Sequence, residues 1–265
     1  MRNYVMNIKM IMSVMIKKAM YIVGKFIEPK TPMITITMHE SLINSLKSLK
    51  EKDDDTSKLM LTRLEKQIST IKECANRAET ILRKQGAIYK WNKLNIVLEY
   101  LTNNNYHQYE ICNNNLYNVN NTIVLSLYPM SAEYQFDEYY YNNLSKIHGI
   151  KFDFGTDKGE REALEFIFWH EFGHYYDYNI SYANCNTINK IMKNNESKKR
   201  LDSEEHYKEL CEKAIADIAT KYNDESKEYI RYEAKREINN TKSYEYRMLP
   251  VEYYADRFAK RMIGR

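Results

Sequence analysis

Glycine and proline are scarce in this chain of 265 residues, with seven and four copies. No G-x-G run and no Walker-type loop occurs, so a backbone cradle for nucleotide phosphates has no support. Cysteine is scarce too. Cys74, Cys112, Cys185 and Cys211 form no C-x-x-C pair, which argues against a cysteine zinc site. They read as free thiols of a reducing compartment. The net charge is only +4, and no run of basic residues is long enough to expect nucleic acid as a partner. Long uncharged apolar runs are missing as well. Val5 to Ile27 is apolar, but Lys9, Lys17 and Lys18 interrupt it, so no transmembrane segment is expected. It also lacks a small-residue cleavage site, and no clear signal peptide is read.

What is present supports a packed core, since 43% of the residues are hydrophobic. The length suits one large domain or two small ones. Val5, Ile8, Met12, Met15, Ala19 and Ile22 recur at helical spacing, as in a core-packing helix or one that lies on a membrane surface or a partner. Met33 to Met38 is a short β-like run, and a helix is expected from His39 to about Lys50. Leu61, Leu64, Ile68, Ile71, Ala75, Ala78 and Leu82 form a heptad seam that Gly86 ends. It suits a helical hairpin better than a coiled-coil dimer. Trp91 to Leu101 reads as a helix, Asn103 to Asn105 as a loop, and Tyr117 to Tyr128 as a strand. That strand is either an ordinary sheet member or an edge that pairs with an extended substrate. Glu133 to Asn143 reads as a surface loop or cleft rim, and Asn179 to Asn195 as a loop. Ser203 to Asn240 is a charged helical region broken near Asn223, with a narrow apolar stripe at Leu210, Ala214, Ile218 and Tyr222. A last helix begins at Pro250.

The segment His170-Glu171-Phe172-Gly173-His174 carries the chemistry. On a helix, residues i and i+4 lie one turn apart on one face, so both imidazoles reach one metal ion. Glu171 is rotated off that face by about 100° and suits a base acting on a metal-bound water. The HExxH pattern arises by chance in only about one such chain in a hundred. The bland alternative is an amphipathic helix with two satisfied histidines. Asp157 and Glu160 suggest a helix start of the capping-box kind. Ala163, Leu164, Phe166, Ile167, Phe168 and Trp169 make this helix apolar nearly all round, hence buried. Buried imidazoles need partners, and a metal satisfies two at once.

A catalytic zinc ion takes three protein ligands and keeps one open position. Asp177 is too close to His174 along the helix, and His206 reads as a solvated surface histidine. Glu252 is the best third ligand. Asp256 follows one turn on, placed to receive the second N–H of a metal-bound histidine and orient it. The same E-x-x-x-D spacing occurs at Glu51 and Asp55 in a solvated patch, so spacing alone is weak.

HEFGHYYD, together with SYEYRMLPVEYYADRF, resembles the gluzincin clan of zinc peptidases, and the catalytic domain of the anthrax toxin lethal factor type in particular. The resemblance covers roughly 40 residues. It implies Zn2+ as cofactor, His170, His174 and Glu252 as ligands, Glu171 as general base and Asp256 as orienter. It also implies a tyrosine that stabilises the oxyanion, here Tyr246 or Tyr244, while Glu245 holds the nearest ungapped position. The expected fold is α+β and mostly helical. A zincin-like catalytic domain at 106–265 has a small sheet beside the HExxH helix, and a helical N-terminal region at 1–105 serves docking or regulation. The expected activity is that of a zinc metalloendopeptidase acting on a protein or peptide, toxin-like, in the cytoplasm or delivered into a host cell. A non-catalytic zincin-like structural or regulatory module, or a zinc amidase acting on cell-wall peptide, are the alternatives.

Overall fold

The computed structural model describes residues 33–84, 93–100, 108–113, 119–131, 133, 136, 138–179, 185–223 and 225–264. The apolar segment Val5–Ile27, Gly86 and the Asn103–Asn105 loop lie outside them, as does the boundary near residue 105. The architecture is α+β and mostly helical. By compactness the chain divides into two units. One comprises Met1–Gln135, Phe152–Ile188 and Phe258–Arg265; the other comprises Phe136–Lys151 and Asn189–Arg257.

The first unit holds a four-stranded sheet. Its strands are β1 (Ile34–Met38), β2 (Leu94–Tyr100), β3 (Gln108–Asn113) and β4 (Val119–Leu127), in the order β1-β2-β4-β3. β1, β2 and β4 run parallel, and β3 closes the row antiparallel to β4. Strands from both sides of residue 105 thus share one sheet. The register sets Ile96 beside Ile123 and Leu98 beside Leu125, and all four are fully buried.

Two sequence expectations change here. Residues 94–100 form a strand, not a helix. Leu94, Ile96 and Leu98 are buried while the residues between them are half-exposed, which is the period of two that a strand requires. β4 forms as expected, but it lies between β2 and β3. Its backbone is therefore committed on both sides, and it cannot be an edge that receives substrate.

Two helices fill the β1–β2 connection: α1 (Glu40–Glu51), capped by His39, and α2 (Asp55–Lys84). Of the heptad seam in α2, Leu64, Ile68, Ile71, Ala75, Ala78 and Leu82 are buried. The seam packs within the chain, against α1 and the HExxH helix. Glu79 on α2 accepts hydrogen bonds from the Met33 and Ile34 amides at 3.1 and 2.9 Å, which pins the start of β1.

The remaining helices are α3 (Glu138–His148), α4 (Asp157–Asn179), α5 (Cys185–Leu201), α6 (Glu204–Lys221), α7 (Lys227–Arg247) and α8 (Pro250–Met262). α3 and α5 replace expected loops. In α5 the described side chains are mostly exposed, so no apolar stripe announces the helix in the sequence. The break expected near Asn223 separates α6 from α7. These two pack in the second unit around Ala214, Ala234 and Ile238, and α3 lies on α7, where Asn143 Nδ2 donates to the Asn240 carbonyl at 3.1 Å. Among the described residues, no helix is long and apolar enough to cross a membrane.

Candidate metal centre

Helix α4 carries the HExxH segment in the first unit. Its start differs from expectation by one residue. Thr156, not Asp157, caps the helix: its Oγ1 accepts from the Gly159 amide at 3.1 Å. Asp157 instead lies exposed, with its carboxylate 3.0 Å from Lys66 Nζ. Ala163, Leu164, Phe166, Ile167, Phe168, Trp169 and Phe172 are all buried, as the apolar wrap of this helix predicts. The Trp169 ring stands edge-on to Phe168 and Phe172. α4 packs against α2 on one side and contacts β3 and β4.

His170 is 5% and Glu171 7% exposed, and His174 is half-buried. The two Nε2 atoms converge to 3.1 Å, with the rings nearly perpendicular. Two imidazole ligands at Zn–N distances of about 2.0–2.1 Å in tetrahedral geometry have nitrogens roughly 3.3 Å apart, so the pair suits such an ion. Glu171 Oε1 lies 4.0 Å from His170 Nε2. The carboxylate thus leans back towards the convergent nitrogens.

The second unit holds Glu252 and Asp256. α7 ends at Arg247, and α8 starts at Pro250 after only Met248 and Leu249. This tight elbow turns the end of one helix onto the first two turns of the next. Glu252 is 7% and Asp256 0% exposed. The Tyr246 hydroxyl donates to Glu252 Oε1 at 3.0 Å. Tyr244 instead lies under Lys146, whose Nζ is 5.0 Å from the ring centre. Glu245 is committed elsewhere: its Oε2 is 2.6 Å from His206 Nε2, and its Oε1 is 3.4 Å from Arg200. His206 is only 7% exposed. The solvated surface histidine expected from the sequence is therefore a buried partner of Glu245, because α7 covers it.

Two residues beside Glu252 and Asp256 escape the sequence reading. Arg247 is 4% exposed. Its Nη1 is 3.5 Å from Glu252 Oε2, and its Nη2 pairs with Asp256 Oδ1. The buried His148 places Nε2 3.3 Å from Asp256 Oδ2, and its ring tilts against Tyr253. Nothing in the spacing of either residue marks it. An arginine next to Tyr246 and a histidine ending a short helix read as surface groups until their partners are known.

Helix α8 continues past these residues to Phe258, which packs on Trp169, Phe172 and Tyr176 of α4. Of the thiols, Cys74 is buried, and its burial pushes the pKa up to about 12. That makes it inert as a nucleophile.

Comparison with known proteins returned no match to a family model, to a curated protein or to a solved structure.

Proposed function

We propose that the protein is a zinc endopeptidase of the gluzincin kind, with His170, His174 and Glu252 holding the ion. The observation that carries this reading is the 3.1 Å approach of the two histidine Nε2 atoms on a buried helix. The Glu171 carboxylate leans towards them. Glu252 completes the ligand set in this proposal, as the third group that a catalytic zinc requires.

Bound zinc supplies a Lewis acid that polarises the scissile carbonyl and lowers the pKa of a coordinated water towards ~7. Glu171 takes the proton of the attacking water and delivers it to the departing amine. Tyr246, with its hydroxyl already at Glu252 Oε1, donates to the oxyanion as the carbonyl oxygen gains charge. Asp256 pairs with Arg247 and His148, and its role as orienter of a histidine ligand rests on the motif resemblance alone. The substrate class is a protein or peptide.

The test is zinc quantification beside a peptide-library cleavage screen, on wild type and Glu171→Gln. The expected result is one zinc per chain in both, with hydrolysis in wild type and a loss of at least about a hundredfold in the variant. Peptidase activity retained in Glu171→Gln overturns the mechanism. Zinc bound by a wild type that cleaves nothing favours a non-catalytic module, and no zinc at all removes the metal reading.

A further inference from the structure

A guanidinium is costly to bury unless its charge is paired. Arg247 sits at the last position of α7 and is 4% exposed. The Tyr140 ring lies 4.2 Å from the centre of its guanidinium, a cation–π contact that covers one face of the group. One nitrogen reaches Glu252 Oε2 at 3.5 Å, and another pairs with Asp256 Oδ1. Glu252 and Asp256 stand one turn apart on α8, so a single planar fork spans both carboxylates.

The oxygens of these carboxylates are thereby shared out. At Glu252, Oε2 faces Arg247 while Oε1 accepts from the Tyr246 hydroxyl. At Asp256, Oδ1 faces Arg247 and Oδ2 faces His148 Nε2. We propose that Arg247 is the positioning residue of the carboxylate half. It locks the Glu252 rotamer so that Oε1 is the oxygen offered to a metal, and it fixes Asp256 in the same stroke. This rests on the zinc reading above and adds to it a residue that touches neither metal nor substrate. Positioning partners of metal ligands matter because a ligand free to rotate must be ordered when the ion binds.

Arg247→Met strands two buried carboxylates and threatens folding, so Arg247→Lys on the full chain is the informative change. Lysine keeps the charge but cannot span two carboxylates with a planar fork. Three measurements decide. Chelator competition gives the zinc affinity, Co2+ substitution gives the visible absorption of the ligand set, and thermal unfolding with chelator present gives the metal-free stability. The expected result is a roughly 10–100-fold weaker zinc affinity and a shifted cobalt spectrum at a temperature where the variant is folded. A variant that loses metal-free stability but binds zinc and cobalt as wild type does overturns the proposal, leaving Arg247 a merely structural ion pair. His174→Ala serves as control. If wild type binds zinc and His174→Ala does not, the zinc reading stands whatever Arg247→Lys shows. If neither binds, both readings fall together.

Discussion

The HExxH helix and the α7–α8 elbow solve the same problem by different means. On α4, helix geometry alone brings the two imidazoles to one face. The 3.1 Å between their Nε2 atoms is reached within one turn of that helix. Aromatic packing by Phe166, Phe168, Trp169 and Phe172 then holds the helix. At the elbow, no single element places Glu252. A two-residue break sets the helices, and Tyr246 and Arg247 from one helix hold the carboxylate of the other. The first arrangement is fixed by secondary structure, the second by tertiary contacts. Substitutions around α4 should therefore act through the stability of the helix. Those at the elbow should act through the chemistry of the site.

After Glu171→Gln and Arg247→Lys, the largest effect is expected at Tyr246. Its neighbour two residues back is the internal control, since both are tyrosines on the last turns of α7. Tyr246→Phe removes the hydroxyl that reaches Glu252, whereas Tyr244→Phe alters a ring that lies under Lys146. Loss of an oxyanion donor costs about 10²–10³ in kcat. We expect that loss in Tyr246→Phe, with KM nearly unchanged, and about twofold or less in Tyr244→Phe. Equal effects in steady-state kinetics of the two variants would break the contrast.

The same contrast governs what the sequence discloses. The HExxH pattern and the apolar wrap of α4 are local, so five contiguous residues and their flanks reveal them. β1 and β4 are legible because Ile34-Thr35-Ile36-Thr37 and Thr122-Ile123-Val124 are β-branched runs with turn residues near their ends. β2 is misread because Leu94, Ile96, Val97 and Leu98 fit either period in so short a run. Only the alternation of burial at 94, 96 and 98 separates the two. Arg247, His148 and His206 stay hidden for another reason. A charged or polar residue is buried by its partners, and those partners lie far along the chain: Asp256 for His148, Glu245 for His206, Tyr140 for Arg247.

A medium effect is expected at Gly159, in the first turn of α4. Alanine normally stabilises a helix interior by ~1 kcal/mol over glycine. Here a Cβ lands on the backbone carbonyl of Asp153, in the turn that leads into the helix. Backbone cannot swing aside as a long side chain can. The expected sign is therefore reversed, with Gly159→Ala destabilising by about 1–3 kcal/mol in denaturant unfolding. A stabilised variant would show that the turn at 153–156 yields freely and that α4 does not depend on it.

The smallest effect separates two neighbouring candidates for the start of α4. Thr156 Oγ1 accepts from the Gly159 amide at 3.1 Å, and the Thr156 carbonyl accepts from Glu160 at 3.0 Å. That is the work of a cap, and removing its side-chain acceptor by Thr156→Ala should cost about 1 kcal/mol. Asp157, one residue on, offers its charge to the positive helix end and pairs with the exposed Lys66. Exposed pairs contribute 0–1 kcal/mol and are screened by salt. Asp157→Ala should therefore cost less than Thr156→Ala in low salt, and its effect should shrink in about 1 M NaCl while that of Thr156→Ala persists. Denaturant unfolding of both variants at the two salt concentrations measures this. Because the cap lies more than three turns before His170, neither change should alter zinc affinity. If Thr156→Ala weakened it, the HExxH half would depend on contacts beyond its own helix turn, as the elbow does.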